Sequence, residues 1–303
     1  MRFVDSQDPD AFANAADDKT RAFFTETVSN PALEIADLDA IGVHAKTLGV
    51  PLIVDSTFST PYLTNPLAHG ADIVIHSLTK WLGGHGIGIG GMVIDSGRFN
   101  WAGGKHPLFD EPDMSYHGLR WGHDLPEPLA PLAYILRLRT GPLRNIGACL
   151  SPDNAWMFLQ GIETLPLRME RHCENAAAVA KHLSAHPSVE WVRFPGLESD
   201  PEFEKNKKYI KGKGGPMVVF GIKGGAAAGC KFIESLELFS HLANVGDAKS
   251  LAIHPATTTH SQLNEEQQRD AGIAPEMVRL AVGIEHIDDI LADLDQALAT
   301  AAG

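Results

Sequence analysis

Ala71-Asp-Ile-Val-Ile75 is an apolar run that leads directly into the polar segment His76-Ser-Leu-Thr-Lys80 and then into a glycine-rich loop. The apolar run predicts a buried strand, with Lys80 following its carboxyl end. Burial of an ammonium group lowers its pKa, and this prepares an amine to form an imine with an aldehyde cofactor. For this segment alone, the alternative is a lysine that reaches from the strand end into solvent.

A second apolar run, Gly49-Val-Pro-Leu-Ile-Val-Asp55, ends in a carboxylate. A continuous run of this length is typical of a strand buried on both faces of a parallel sheet. The preceding residues 35–48 have apolar side chains at helical spacing, so strands and helices alternate along this region. Because ligands of such sheets bind outside the carboxyl ends of the strands, we expect Asp55 and Lys80 to surround one ligand.

Pyridoxal phosphate is the cofactor whose chemistry needs this pair of residues. Its aldehyde would bond to Lys80, and the carboxylate of Asp55 would keep the ring nitrogen protonated. Ser77 and Thr79 lie just before the lysine and could donate hydrogen bonds to the phosphate. The run of glycines at 83–91 does not have P-loop spacing. It is better interpreted as a loop that lets the backbone pass close to the cofactor.

Six blocks of sequence, in order along the chain, resemble the cysteine and methionine metabolism family of pyridoxal-phosphate enzymes. They lie at residues 26–31, 54–58, 76–80, 246–251, 254–260 and 278–285. Three further stretches resemble the branch of this family formed by the O-acetylhomoserine sulfhydrylases, at residues 109–118, 159–172 and 219–225.

The resemblance implies an α/β fold with two domains. Residues 1–166 would form part of a large cofactor domain with a mostly parallel sheet, similar to aspartate aminotransferase and incomplete at its N-terminus. Residues 167–303 would form a smaller C-terminal α/β sandwich, including a bridging helix. We expect strands at 1–5, 189–194, 215–222 and 278–284, and helices at 126–140, 152–161, 167–185, 226–238 and 286–302.

The resemblance also implies a role for individual residues. Lys80 would be the catalytic residue, bonding to the cofactor and moving protons. The other cofactor-binding residues would be Asn30, Asp55, Thr57, Ser77 and Thr79. The substrate-binding residues would be Ser250, Thr259 and Arg279, with Arg279 binding the substrate carboxylate through its two-pronged guanidinium. Three alternatives stay open: Asn30 as a turn residue before Pro31, Thr259 as a loop cap, and Arg279 as an edge residue.

The implied reaction is a γ-replacement in methionine biosynthesis, in which O-acetylhomoserine and sulfide give homocysteine and acetate. The expected partners are therefore a small amino-acid ester and sulfide or a thiol. A γ-lyase, a β-lyase or a cystathionine γ-synthase is an alternative, because these activities also use Lys80 and Asp55. Members of the family have a segment before the residue that matches Arg2. A catalytically silent chain that holds no cofactor is therefore a second alternative. Since relatives share sites between subunits, we expect a homodimer or homotetramer.

Composition restricts the remaining function classes. A net charge of −13 over 303 residues argues against non-specific binding to nucleic acid, which needs a basic face. No apolar run approaches the length of a membrane span. The fourteen histidines and three scattered cysteines form no ligand motif, so no metal site is predicted. We expect a cytoplasmic enzyme with reduced thiols and without a membrane partner.

Overall fold

The computed structural model describes residues 1–302, with side chains at all of these positions except 265, 269 and 270. Its strands form two sheets. The first sheet contains four strands in the order β1-β2-β3-β4. Their ranges are β1 Phe23–Glu26, β2 Leu52–Asp55, β3 Ile73–Ser77 and β4 Gly91–Asp95. The first three run parallel and β4 runs antiparallel to β3, so the prediction of a mostly parallel sheet is confirmed.

The second sheet contains five strands in the order β5-β6-β9-β8-β7. Their ranges are β5 Val189–Arg193, β6 Met217–Ile222, β7 Ser240–His241, β8 Leu251–Ile253 and β9 Met277–Ala281. All pairs are antiparallel except β7 with β8. The residues of β6 and β9 are buried throughout, because helices cover this central part of the sheet.

Twelve α-helices lie within residues 1–302. They are α1 Pro9–Asn14, α2 Leu38–Leu48, α3 Thr60–Leu63, α4 Pro107–Asp110, α5 Ala133–Leu138, α6 Arg144–Ile146, α7 Pro152–Glu163, α8 Leu165–Ser184, α9 Phe203–Tyr209, α10 Gly225–Ser235, α11 Glu265–Asp270 and α12 Ile287–Ala302. None of them is both long and apolar enough to cross a membrane.

Helix α8 connects the two sheets, as the predicted bridging helix would. Its first half packs into one apolar core through Met169 and Cys173. Its second half packs into another through Val179 and Leu183. The first of these cores also includes Met217 of the second sheet. The two sheets therefore share apolar packing, and the division at 166/167 stays a prediction.

Two sequence-based elements differ from the structure. Residues 1–5 do not form a strand, so that prediction was wrong. Phe3 is fully exposed, and no strand in the described chain pairs with this segment. The helix predicted at 126–140 begins only at Ala133, after a short 3₁₀ turn. Pro126, Pro128 and Pro131 explain the late start, since proline lacks an N–H and disfavours helix in the residue before it.

Candidate active site

Lys80 lies in a five-residue helical turn, Leu78–Leu82, that follows β3 directly. Its own backbone departs from helical geometry, with φ −93° and ψ −136°. The side chain is half-buried, and its Nζ donates a hydrogen bond to Oδ1 of Asn244. Burial lowers the pKa of Lys80, and the positive charge of Arg279 lowers it further. The amine therefore loses its proton more readily than an exposed lysine.

The turn that bears Lys80 packs tightly against the segment around Gly246. A Cβ on Gly246 would lie 2.4 Å from the backbone nitrogen of Trp81 and 2.9 Å from Cα of Lys80, and its φ is +81°. The backbone N–H of Ala248 donates to the carbonyl of Gly84 at 2.9 Å. Only glycine suits position 246, because of both the space and the left-handed backbone.

The ends of β2 and β3 are joined by side-chain hydrogen bonds. Oδ1 of Asp55 accepts from the N–H of Thr57 at 2.9 Å, and Oγ1 of Thr57 accepts from the N–H of Ser77 at 2.9 Å. Asp55 lies opposite Ile75 in the register of the two strands. Asp55, Thr57 and Ser77 consequently lie together at the carboxyl ends of β2 and β3. The turn that bears Lys80 follows directly after Ser77.

The two hydroxyls predicted to bind phosphate have different surroundings. Thr79 accepts from the N–H of Gly90 at 3.1 Å and donates to the carbonyl of Gly90 at 3.4 Å. Its hydroxyl therefore closes the loop between β3 and β4. Ser77 is half-buried, and its hydroxyl has no hydrogen-bond partner in the described chain. Ser77 is the better placed of the two to bind an added anion.

Arg279 is a buried cation on β9, with 7% of its surface exposed. Its Nη1 donates to Oδ1 of Asn30 at 2.9 Å, and its Nη2 donates to the carbonyl of Asn244 at 3.3 Å. Its Nε has no partner, and no carboxylate of the described residues forms a salt bridge with it. Burial lowers its pKa to about 10. A buried guanidinium without an acid partner suits an anionic ligand.

Ser250 and Thr259 are not hydrogen-bonded to this network. Ser250 is fully buried, and its hydroxyl donates to Glu285 at 2.9 Å and accepts from the N–H of Gly283 at 2.9 Å. Thr259 is exposed and is hydrogen-bonded to the neighbouring His260. The role of both residues in substrate binding stays a prediction.

Asn244 is the member of the network that the sequence did not identify. Its side-chain oxygen accepts from Lys80, and its backbone oxygen accepts from Arg279. It lies two residues before Gly246, the first residue of a block that was recognised. A polar amide two residues before that block is the signal in the sequence that could have identified it.

His76 and His85 lie around the same strand end. His76 is buried, and its Nδ1 has no hydrogen-bond partner in the described part of the chain. Burial lowers its pKa, partly opposed by the charge of Asp55. Nδ1 of His85 contacts the carbonyl of Gly83 at 2.7 Å. No cluster of three or more metal-ligating side chains occurs in the part of the chain that the structure describes.

A family model of Cys/Met metabolism PLP-dependent enzymes matches residues 1–299. The chain belongs to this family. O-acetyl-L-homoserine sulfhydrylase from Leptospira meyeri is 55% identical over 303 residues, which cover 98% of this chain and 69% of that protein. O-acetyl-L-homoserine sulfhydrylase 1 from Thermus thermophilus is 51% identical over 301 residues, which cover 99% and 70%.

A solved structure supports the same relationship. It is assigned as an O-acetylhomoserine (thiol)-lyase from Campylobacter jejuni and contains N'-pyridoxyl-lysine-5'-monophosphate. It matches this chain with a TM-score of 0.92 at 39% sequence identity, covering 98% of this chain and 70% of that one. The aminotransferase-like α/β fold that the resemblance implied is thereby confirmed.

The residues of the site fit the pyridoxal phosphate on which the family depends. The half-buried amine of Lys80 has a lowered pKa. The carboxylate of Asp55 lies at the end of the neighbouring strand. The hydroxyl of Ser77, with which no described residue forms a hydrogen bond, can donate to a phosphate oxygen. This cofactor needs an amine, an acid and a hydroxyl from the protein, and all three lie at the carboxyl end of the first sheet.

Proposed function

We propose that this chain catalyses a γ-replacement in which O-acetylhomoserine and sulfide give homocysteine and acetate, as a step of methionine biosynthesis. The Cγ–O bond of the ester breaks and a Cγ–S bond forms, so hydrosulfide replaces acetate without net oxidation. The observation that supports this most directly is the network of Lys80, Asn244 and Arg279. It joins a basic amine to a buried cation that lacks an acid partner. The names of the relatives supply the substrate class.

Each residue would have a distinct task. Lys80 would remove the α-proton of the substrate at Nζ and later return a proton, since its lowered pKa favours the free amine. Asn244 would accept a hydrogen bond from Nζ and hold it in place. Arg279 would bind the substrate carboxylate, and Asn30 would hold Arg279. The cofactor, when bound, supplies the electron sink that the protein side chains lack.

Asp55, Thr57, Ser77 and Thr79 are proposed to hold the cofactor. Asp55 would face its ring nitrogen, and the hydroxyl of Ser77 would donate to its phosphate. Thr57 would act by fixing the strand ends, and Thr79 by closing the loop to Gly90. Ser250 and Thr259 would contribute to substrate binding through the loops that they belong to.

Product analysis tests the reaction against its alternatives. The purified chain is incubated with pyridoxal phosphate and O-acetylhomoserine, with and without sulfide. Homocysteine that appears only with sulfide supports the proposal. Release of 2-oxobutanoate in both incubations contradicts it and favours a γ-lyase. In a third incubation cysteine replaces sulfide, and formation of cystathionine there without homocysteine from sulfide favours a cystathionine γ-synthase.

An absorption spectrum distinguishes an enzyme from a catalytically silent chain. We expect a visible band after addition of pyridoxal phosphate, lost in Lys80→Ala and retained in Lys249→Ala. Lys249 is the matched control because it is exposed and lies only three residues after Gly246. A chain that stays colourless with cofactor present would support the silent alternative.

We propose in addition a homodimer or homotetramer that shares its sites, in the cytoplasm. Cys149, Cys173 and Cys230 are all free thiols, which suits a reducing compartment. Light scattering of the purified chain tests the assembly, and a monomer at micromolar concentration would contradict it.

A further inference from the structure

Arg168 is a second buried cation near Lys80, and it contacts the turn that bears the lysine. It is 5% exposed and lies in the first half of α8. Nη1 donates to the carbonyl of Trp81 at 2.8 Å, and Nη2 donates to those of Gly161 at 2.5 Å and Leu82 at 3.4 Å. Nε donates to the hydroxyl of Thr164 at 3.2 Å.

No carboxylate of the described residues pairs with Arg168, so its charge is stabilised only by the dipoles of carbonyl groups and of the Thr164 hydroxyl. Burial lowers its pKa. An arginine that served only to fill space could be an apolar residue at lower cost, because a buried unpaired charge is unfavourable. The fork of the guanidinium instead matches the carbonyls at the end of the lysine turn, two of which belong to the two residues directly after Lys80.

Close backbone contacts fit the arginine to this turn. A Cβ on Gly161 would lie 2.2 Å from the carbonyl oxygen of Gly83. A Cβ on Gly84, which has a φ of +74°, would lie 2.1 Å from Nη1 of Arg168. Glycine at both positions allows α7 and the guanidinium to approach the backbone of the lysine turn directly.

The same face of α8 also holds the segment that follows β9. His172 and Asn175 lie four and seven residues after Arg168, which is one helical face. Nδ1 of His172 donates to the carbonyl of Val282 at 2.6 Å. Nδ2 of Asn175 donates to those of Gly283 and Glu285 at 3.0 Å. One rigid helix thus contacts both the turn that bears Lys80 and the backbone just beyond Arg279.

We propose that Arg168 is a positioning residue, which holds the lysine turn on α8 and so fixes the distance and direction between the amine of Lys80 and the guanidinium of Arg279. It does not touch the reacting atoms. It acts through the carbonyls of Trp81 and Leu82. The proposal rests on the proposed function, in which these two side chains act on one substrate.

The test uses the chain without cofactor, so that it does not depend on activity. The amines of Arg168→Met, Arg168→Lys and Arg171→Met are acylated with limiting acetic anhydride between pH 6 and 11. Mass spectrometry then gives the pH midpoint of labelling for Lys80. Arg171 is the control because it lies on the exposed face of the same helix and pairs with Glu174 at its surface.

Loss of Arg168 loosens the turn and admits water to the amine, so the labelling midpoint moves to higher pH. We expect a rise of about half a unit or more in Arg168→Met, a smaller rise in Arg168→Lys, and none in Arg171→Met. With cofactor bound, we expect kcat per bound cofactor to fall by about 10- to 100-fold in Arg168→Met, with a smaller change in KM.

Two results would overturn the proposal. One is a folded Arg168→Met chain whose midpoint equals that of the unmodified chain. The other is an Arg168→Lys chain with an unchanged labelling midpoint and an unchanged kcat per bound cofactor, because lysine keeps the charge but lacks the fork of the guanidinium. This second result decides the test if Arg168→Met does not fold. Failure of the proposed function would look different from both results. The labelling midpoint of Lys80 would still shift in Arg168→Met, but the unmodified chain would form no homocysteine.

Discussion

Arg279 donates a hydrogen bond from Nη1 to Oδ1 of Asn30 at 2.9 Å, although the two residues lie 249 positions apart. Arg279 belongs to the second sheet and Asn30 to the loop after β1 of the first. The contact therefore joins the two halves of the molecule at the candidate active site. It binds Nη1 of the guanidinium, while Nε has no hydrogen-bond partner among the described residues.

Replacement of Arg279 by lysine should weaken binding of the amino-acid substrate. Lysine keeps the charge but has only one nitrogen, so it lacks the planar fork that reaches Asn30 and Asn244 from separate nitrogens and leaves a further N–H for a carboxylate. A charge-assisted hydrogen bond contributes about 1.5–3 kcal/mol. We therefore expect kcat/KM for O-acetylhomoserine to fall roughly 10- to 100-fold, mainly through KM, in steady-state assays. Arg193 lies in β5, at the edge of the same sheet, and Arg193→Lys should have a kcat/KM close to that of the unmodified chain. An equal fall in kcat/KM in both variants would contradict the prediction.

Replacement of Asp55 by asparagine should slow the reaction while leaving cofactor attachment intact. The amide keeps the shape of the side chain and can still accept from Thr57, but it no longer offers a charge to the ring nitrogen. We expect the visible band to remain and kcat to fall by at least about 100-fold. Asp72→Asn is the control, because Asp72 accepts from the N–H of Leu52 at the opposite end of the same strands. Unchanged kcat in Asp55→Asn would contradict the role.

The placement of Asp55 and of the turn that bears Lys80 at the carboxyl ends of neighbouring strands could be predicted from sequence, because it follows from strand direction. Neighbouring parallel strands have their carboxyl ends at the same end of the sheet. Polar residues that follow two such strands therefore lie in the same region. The helices α7, α8, α10 and α12 were recognisable for a similar reason, since their apolar periodicity reflects one buried face.

Asn244 and Arg168 could not be found in this way. The contact from Asn244 to Lys80 spans 164 residues and that from Arg168 to Trp81 spans 87. Local periodicity and spacing contain no information about contacts between residues so far apart in sequence. A polar residue within a helical pattern, such as Arg168, is normally interpreted as lying on the solvent-exposed face of the helix. The strand expected at residues 1–5 was wrong because an apolar segment forms a strand only where another strand pairs with it.

His172 should make stability depend on pH below neutrality. Burial lowers its pKa from 6.5 to about 4, so the unfolded chain binds a proton more readily than the folded chain. Stability is then full above pH 6.5 and is lost as the pH falls from 6.5 toward 4, by up to about 3 kcal/mol.

Urea unfolding at several pH values measures the effect of His172. His172→Asn keeps an N–H for Val282 but does not titrate, so its stability should fall less between pH 7 and pH 5. His182→Gln is the control, because His182 lies on the same helix but contacts Asp295 near the surface. A pH dependence in His172→Asn as steep as in the unmodified chain would contradict the assignment.

Gly246→Ala should damage the site far more than the same change at Gly212. Both glycines have a positive φ, +81° and +71°, so both substitutions introduce similar backbone strain of about 1–2 kcal/mol. A Cβ at Gly212 would meet nothing within 4 Å, whereas one at Gly246 would lie 2.9 Å from Cα of Lys80. The difference between the two variants therefore isolates the contact with the lysine turn.

We expect Gly246→Ala to lose the visible band at a cofactor concentration that saturates Gly212→Ala, because the turn must move and Lys80 moves with it. Displacement of a catalytic group by about 1 Å can cost about 100-fold in rate. Titration with pyridoxal phosphate, alongside thermal unfolding of both variants, separates loss of the site from loss of the fold. Equal cofactor affinity in the two variants would mean that the lysine turn tolerates displacement, and that its contact with Gly246 does not position the amine.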